Sequence, residues 1–256
     1  MITISNVSHH YGLRPVLKDI NLTIGSGELA VVMGQNGVGK TTLLNIIAGL
    51  IAPARGYVEI NGLRRRSSEE AEVNVRRQVV YLPDHPWLPE FMTGREWLLA
   101  VGQLYDVEPD RLMDHIERLL PLFQLAEKGD APIRTYSNGQ KKKIALCGAL
   151  VPDSPVLVLD EPFTGGLDPA AILALGRLLK HLSEKRNVTI VMASQIPETV
   201  EQLAHRIVVI NETGIVACDT LEALRKRAGG GSLPEVFEKI VNPQILVAIE
   251  NYLNRQ

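Results

Sequence analysis

The residues Gly34 to Thr42 read GQNGVGKTT, a spacing of the form G-x-x-x-x-G-K-[ST]. Gly34, Gly37 and Gly39 let the backbone N–H groups of the loop that also holds Gln35, Asn36 and Val38 converge on phosphate oxygens. A helix starting near Lys40 would add its positive end, and the Lys40 ammonium would neutralise β and γ phosphates. The Thr41 hydroxyl, followed by that of Thr42, is placed to meet a magnesium ion. A second chemical cluster stands at VLVLDEP, where an apolar run delivers Asp160 and Glu161 to its end. Two acidic neighbours at a strand end are ordinarily a solvated turn. Beside a phosphate loop they become the hydrolytic half of one site, with Asp160 orienting magnesium and Glu161 polarising an attacking water as a general base.

These residues need a parallel sheet to position them. The run Glu28–Gly34 (ELAVVMG) is short, β-branched and ended by glycine, and the helical pattern LLNIIAGL follows the loop. Further buried strands are expected at Pro155–Asp160 and Val188–Ala193, with a helix over Pro169–Leu182 between them. Strand, helix, strand implies parallel pairing, with ligands at the carboxyl ends of the strands. ITISNVSHHY, PVLKDINLTI and YVEING alternate instead and point to a smaller antiparallel sheet. Between Thr93 and Leu150 the spacing turns helical, through REWLLAVGQLY, RLMDHIERLLPLF and KKKIALCGAL. AGGGS at Ala228–Ser232 separates a tail whose Ile245, Ile249, Tyr252 and Leu253 share one helical face, expected to pack on its own domain.

Composition sets outer bounds. The 256 residues carry 27 basic and 29 acidic side chains, for a formal net charge of -2, and 45% of them are hydrophobic. Such a chain can bury a large core in one or two domains. The balance disfavours a protein that holds nucleic acid mainly by neutralising phosphates, so no nucleic-acid partner is expected. Cys147 and Cys218 both sit in apolar stretches and fit neither a disulfide framework nor a zinc cluster, which favours a reducing, cytoplasmic setting. No stretch stays apolar for the roughly 18 residues of a membrane span, so the chain is expected to meet a membrane only at its surface.

The order of these motifs resembles the ATP-binding cassette (ABC) ATPases from Tyr11 to about Asp219. TYSNGQKKK, Thr135–Lys143, stands just before the acidic strand and is similar to that family's signature motif, usually LSGGQ. The resemblance implies ATP and Mg2+ as ligands, a dimer with a second ABC subunit, and a signature (Ser137, Asn138, Gly139, Gln140) that reaches the γ phosphate held by the opposite phosphate loop. A helix N-terminus at Ser137 suits an anion, and Asn138, in place of the family's glycine, tolerates positive φ. Tyr11 matches the aromatic that stacks on adenine, although a lone tyrosine there also fits core packing. In TGGLDP, Asp168 matches an aspartate that crosses the dimer interface and also caps the next helix. The implied fold is α/β: a P-loop NTPase core with a mainly parallel sheet, an N-terminal antiparallel β subdomain and a helical subdomain inserted at about 85–150. The ABC domain would span 1–220 and a helical tail 221–256.

Two positions depart from the family pattern. Asp84 stands where a magnesium-reaching glutamine is usual, and its extra carboxylate is tolerable if it faces the metal. Gln195 stands where a histidine donates to the γ phosphate; it can donate but cannot carry charge, so hydrolysis is expected to be slow. His9, His10, His85 and His205 miss that position and read as surface or loop residues. YLPDHPWLPEFMTGREWL and SLPEVFEKIV resemble the branch that powers export through a separate integral membrane permease. Trp87, Phe91 and Trp97 could line the groove for that partner, Trp97 beside Leu98 fitting core equally well. The reading is therefore an ATP-hydrolysing exporter subunit, peripheral on the inner face of the cell membrane. A weakly hydrolysing regulatory cassette and a non-transport ABC protein on ribosome or DNA are the alternatives.

Overall fold

Alternation in the first two segments produces a hairpin. In a computed structural model that describes residues 1–253, with side chains at 246, 247, 249 and 250 left out, β1 (Ile2–Tyr11) pairs antiparallel with β2 (Arg14–Ile24), register Ile2 to Ile24 and Tyr11 to Arg14. Next come β3 (Leu29–Met33), buried at all five positions, and α1 (Lys40–Ala48). They are followed by β4 (Arg55–Ile60), β5 (Leu63–Arg64), α2 (Glu69–Arg76) and β6 (Val79–Leu82). The helical insertion holds α3 (Gly94–Leu104), α4 (Pro109–Leu122) and α5 (Asn138–Leu150). The chain then returns to the core through β7 (Val156–Asp160), α6 (Pro169–Arg186), β8 (Thr189–Ala193) and α7 (Pro197–Leu203). A hairpin of β9 (Arg206–Asn211) and β10 (Gly214–Asp219) precedes α8 (Leu221–Arg227), α9 (Leu233–Val241) and α10 (Pro243–Leu253).

Two sheets result. The smaller runs β2-β1-β4-β5 and is antiparallel; the larger runs β10-β9-β3-β8-β7-β6 and is parallel except at its β9–β10 edge. The apolar faces of both sheets close on α1 through Ile2, Leu17, Leu43, Ile47 and Val191. The other face of the parallel sheet packs on the helical insertion and α6 through Leu98, Ile116, Phe123, Ile144 and Leu175. Strands β3 and β7 thus end side by side with β8, and their carboxyl ends carry the phosphate loop and the acidic pair.

Several expectations need correction. Helix α6 continues a turn past Leu182 to Arg186 and stops where Asn187 turns left-handed at φ 56°; its last turn is polar, so apolar spacing could not reveal it. Helix α2 was not foreseen in the sequence, despite a capping Ser68 and a glutamate-rich first turn. Cys147 is buried and burial pushes its thiol up, but Cys218 is exposed. His205 does lie in an exposed bend, where its Nδ1 accepts the Leu29 N–H (3.0 Å), but His9 lies within β1 with both ring nitrogens buried. In the tail, α9 supplies buried Leu233 and Val236, whereas Ile245, Tyr252 and Leu253 of α10 are exposed rather than packed on the domain. The Ile249 side chain and the stretch 254–256 lie outside the described residues.

Candidate functional site

The phosphate loop joins β3 to α1 through a backbone that only glycine takes at Gly39. Its φ is 105°, and a Cβ there would stand 2.9 Å from Val16 Cγ1 and 3.1 Å from the Val16 carbonyl. Lys40, the first residue of α1, is 6% exposed and donates to the carbonyls of Gly34 (2.7 Å) and Gln35 (3.1 Å). Burial lowers its pKa, and the charges of Glu161 and Asp160 oppose that shift. The ammonium is therefore tied inside the loop's arc and faces two carboxylates.

Asp160 ends β7, 2% exposed, and burial raises its pKa against the opposing hydrogen bond from Thr41 and the charge of Lys40. A buried carboxylate sharing a cavity with a threonine hydroxyl at the start of a phosphate-loop helix is a donor set suited to Mg2+, which takes one or two protein ligands and completes its shell with phosphate oxygens and water. Glu161 follows in the left-handed region at φ 44°, its N–H donating to Ala193 O at 3.1 Å. Gln195, just beyond β8, donates from Nε2 both to Glu161 Oε1 (3.1 Å) and to Asn36 Oδ1 (2.9 Å). One amide thus links the acidic pair to the phosphate loop.

These residues line one open cavity of about 390 Å³, walled by Asn36, Gly37, Gly39, Lys40, Thr41, Thr42, Asp160, Glu161 and Gln195. Gly34 and Gln35 contribute carbonyls beneath Lys40, and Val38 packs against the core. Tyr11 lines the mouth, 54% exposed and edge-on to His9 at 5.0 Å between ring centroids, which excludes core packing. Arg14 shares that mouth; a single arginine at the start of a strand gave no signal in the sequence. Asp84 also borders the cavity, and its carboxylate accepts from the Thr164 hydroxyl at 3.2 Å and lies 3.8 Å from Lys142 Nζ.

The second group of sequence-marked residues stands elsewhere. Ser137 caps α5, accepting the Gln140 N–H (3.3 Å) while Gln140 Oε1 accepts the Ser137 N–H (2.9 Å). Asn138 is the first helical residue of α5 and has no positive φ, so the tolerance invoked for it is not needed. Gly139 is required by a close approach, because a Cβ would stand 2.5 Å from Gly166 O. Asp168 caps α6, accepting from Ala171 N–H at 2.8 Å, and pairs with Lys143. Those two contacts, Lys143 first, hold its carboxyl below the usual carboxylate range. None of Ser137, Asn138, Gly139, Gln140 or Asp168 lines the phosphate-loop cavity. Asn138 and Gly166 instead border a separate hollow of about 670 Å³ with Trp87. Trp87 and Phe91 are each 83% exposed, whereas Trp97 packs in the core against Gly148.

Comparison with known proteins finds the ABC transporter family model matching residues 17–164. The daunorubicin resistance ATP-binding protein DrrA3 of Streptomyces coeruleorubidus is 30% identical over 93% of this chain and 74% of its own length. Against two longer relatives, from mouse and rat, the chain spans 12% of their length. Among solved structures, the ATP binding subunit of an ABC transporter superposes with TM-score 0.87 at 30% identity, covering 94% of this chain and 99% of that one. A dimeric bacterial ABC transporter cassette superposes with TM-score 0.75 at 25% identity, over 86% and 99% of the respective chains.

Proposed function

The chain belongs to the ABC transporter ATPase family, and on that premise we propose that it binds and hydrolyses ATP as the subunit that powers an exporter, two cassettes closing on ATP. The observation that carries this reading is the single cavity in which Lys40, Thr41, Asp160, Glu161 and Gln195 meet. Backbone N–H groups of the loop and the start of α1 would bind the phosphates, with Lys40 exchanging its loop carbonyls for phosphate oxygens. Tyr11 would hold the base at the mouth. Thr41 and Asp160, with Asp84 at the edge, are the residues to hold Mg2+, which when bound draws charge from the phosphoryl oxygens. Glu161 accepts the proton of the attacking water. Gln195 keeps the Glu161 carboxylate aimed at the loop and offers a neutral donor beside Asn36.

A neutral donor stabilises developing phosphoryl charge less than a cationic one, which supports slow turnover and keeps a weakly hydrolysing, regulatory cassette as the second reading. Export is supported by the two branch-like segments, by exposed Trp87 and Phe91 beside the Asp84 loop as a docking surface for a permease, and by the relative named for daunorubicin resistance. Among the described residues no helix is long and apolar enough to cross a membrane, so the transport path would belong to that permease, with this subunit at the inner membrane face. Two measurements test the proposal. Lys40→Ala should abolish ATP binding in a nucleotide titration, and the parental chain purified from detergent-solubilised membranes should carry an integral membrane protein. Parental affinity in Lys40→Ala would refute the site, and copurification with ribosomes or DNA instead would refute the transport role.

A further inference from the structure

The middle lysine of KKK at Lys141–Lys143 has the look of a solvated helix face, yet Lys142 is 4% exposed. Its ammonium donates to two main-chain carbonyls, Asp84 O at 3.0 Å and Glu161 O at 3.1 Å. Asp84 Oδ1 lies 3.8 Å away. One side chain of the helical insertion therefore joins both acidic walls of the phosphate-loop cavity. Glu161 is a non-glycine residue at φ 44°, a conformation that persists only where neighbours over-determine it. The neighbours here are few: Ala193 O takes its N–H, and its carbonyl accepts from Lys142, from the Thr164 hydroxyl at 2.9 Å and from the Thr164 N–H at 3.3 Å. The single Thr164 hydroxyl proton is shared between the Glu161 carbonyl and Asp84 Oδ1, so Lys142 closes a ring from Asp84 through Thr164 to Glu161. Burial works against its charge, and Asp84, Asp160 and Glu161 work for it, which suits a cation resident among three carboxylates.

We propose that Lys142 is a positioning residue for ATP hydrolysis: by donating at once to the Asp84 and Glu161 carbonyls it fixes the Glu161 main chain, so that the Glu161 carboxylate stays on Gln195 and the phosphate cavity. The proposal rests on the reading of Glu161 as the base. Neutralising Lys142 frees that peptide and misaligns the base, which lowers turnover while Lys40, Thr41 and the phosphate loop stay in place to bind nucleotide. Arginine keeps the charge and enough donors to span both carbonyls.

The test compares Lys142→Met and Lys142→Arg with Glu161→Gln in the assembled complex, measuring kcat and the ATP Kd, and follows amide hydrogen exchange over 161–164 in each full-length chain. Lys142→Met should lower kcat by about ten- to a hundredfold, hold Kd within about threefold of the parent and speed exchange at 161–164. Lys142→Arg should recover most of both losses. Parental kcat in Lys142→Met, loss of ATP binding in step with kcat, or an arginine variant no better than methionine would each overturn it. Parental turnover in Glu161→Gln would instead refute Glu161 as base, and exchange at 161–164 would still decide whether Lys142 clamps the peptide.

Discussion

Gln195 is the residue at which this site differs most in its chemistry from the family pattern. Its amide is committed to both Asn36 and Glu161, so it connects the loop to the acidic pair without contributing charge. Replacing it with histidine adds a donor able to carry charge as the phosphoryl group departs, and the change should act on the transition state more than on bound ATP. Gln195→His is expected to raise turnover of the assembled complex by about tenfold, equivalent to about 1.4 kcal/mol, with ATP affinity nearly unchanged. Lower turnover that Asp84→Gln restores would mean that the two residues form one coupled arrangement. No change in either single variant or in the double one would remove both from the γ phosphate. That the loop and the acidic pair meet was legible in the sequence because each follows an apolar run read as a strand of one parallel sheet. The places of Lys142 and Arg14 were not, because each is set by neighbours far away in sequence, 58 positions separating Lys142 from Asp84.

Elements repeat the pattern. Strands β3, β7 and β8 are buried at every position and announce themselves as apolar β-branched runs. The polar last turn of α6 and the short helix α2, whose one buried residue is Val75, have no apolar stripe to read. Asp168 shows how a cap joins two elements: it closes the first turn of α6 through the Ala171 N–H and reaches back to Lys143 on α5. Asp168→Ala should cost about 1 kcal/mol at neutral pH, chiefly the lost cap, since the carboxylate is 43% exposed and its pairing with Lys143 is screened. The Asp168 pKa is depressed in the fold, so the unfolded chain takes up the proton first as pH falls. Its contribution is thus present above the ordinary carboxylate range and lost as pH drops through the depressed folded value. Urea unfolding of parent and variant across that range should show the gap closing towards acid. A gap that stays constant would mean that the carboxylate charge has no part in it.

At the scale of the molecule, Ser137 stands apart from its own phosphate loop. Ser137 opens α5 as its cap, outside the cavity of Lys40, and a helix N-terminus there is suited to an anion held by another copy. If two chains close head to tail on ATP, each site takes Lys40 from one and Ser137 from the other, and Glu161→Gln should trap the closed pair by leaving ATP uncleaved. Size measurement of that variant should give a dimer with MgATP and a monomer without. The geometry also predicts complementation. A Lys40→Ala chain and a Ser137→Arg chain each fail alone, since every site in either homodimer has one damaged half. Mixed, they form dimers in which one site unites the intact loop of the second chain with the intact Ser137 of the first. Equal mixing should place about half of all dimers in that state by simple statistics, each with one working site, so ATP turnover should return to about a quarter of the parental value if the two sites act independently. No recovery on mixing, with both chains folded, would show that the site is complete within one chain or that both sites must fire together. Measuring ATP-dependent dimerisation of the mixture separates those outcomes, because only the second keeps the dimer.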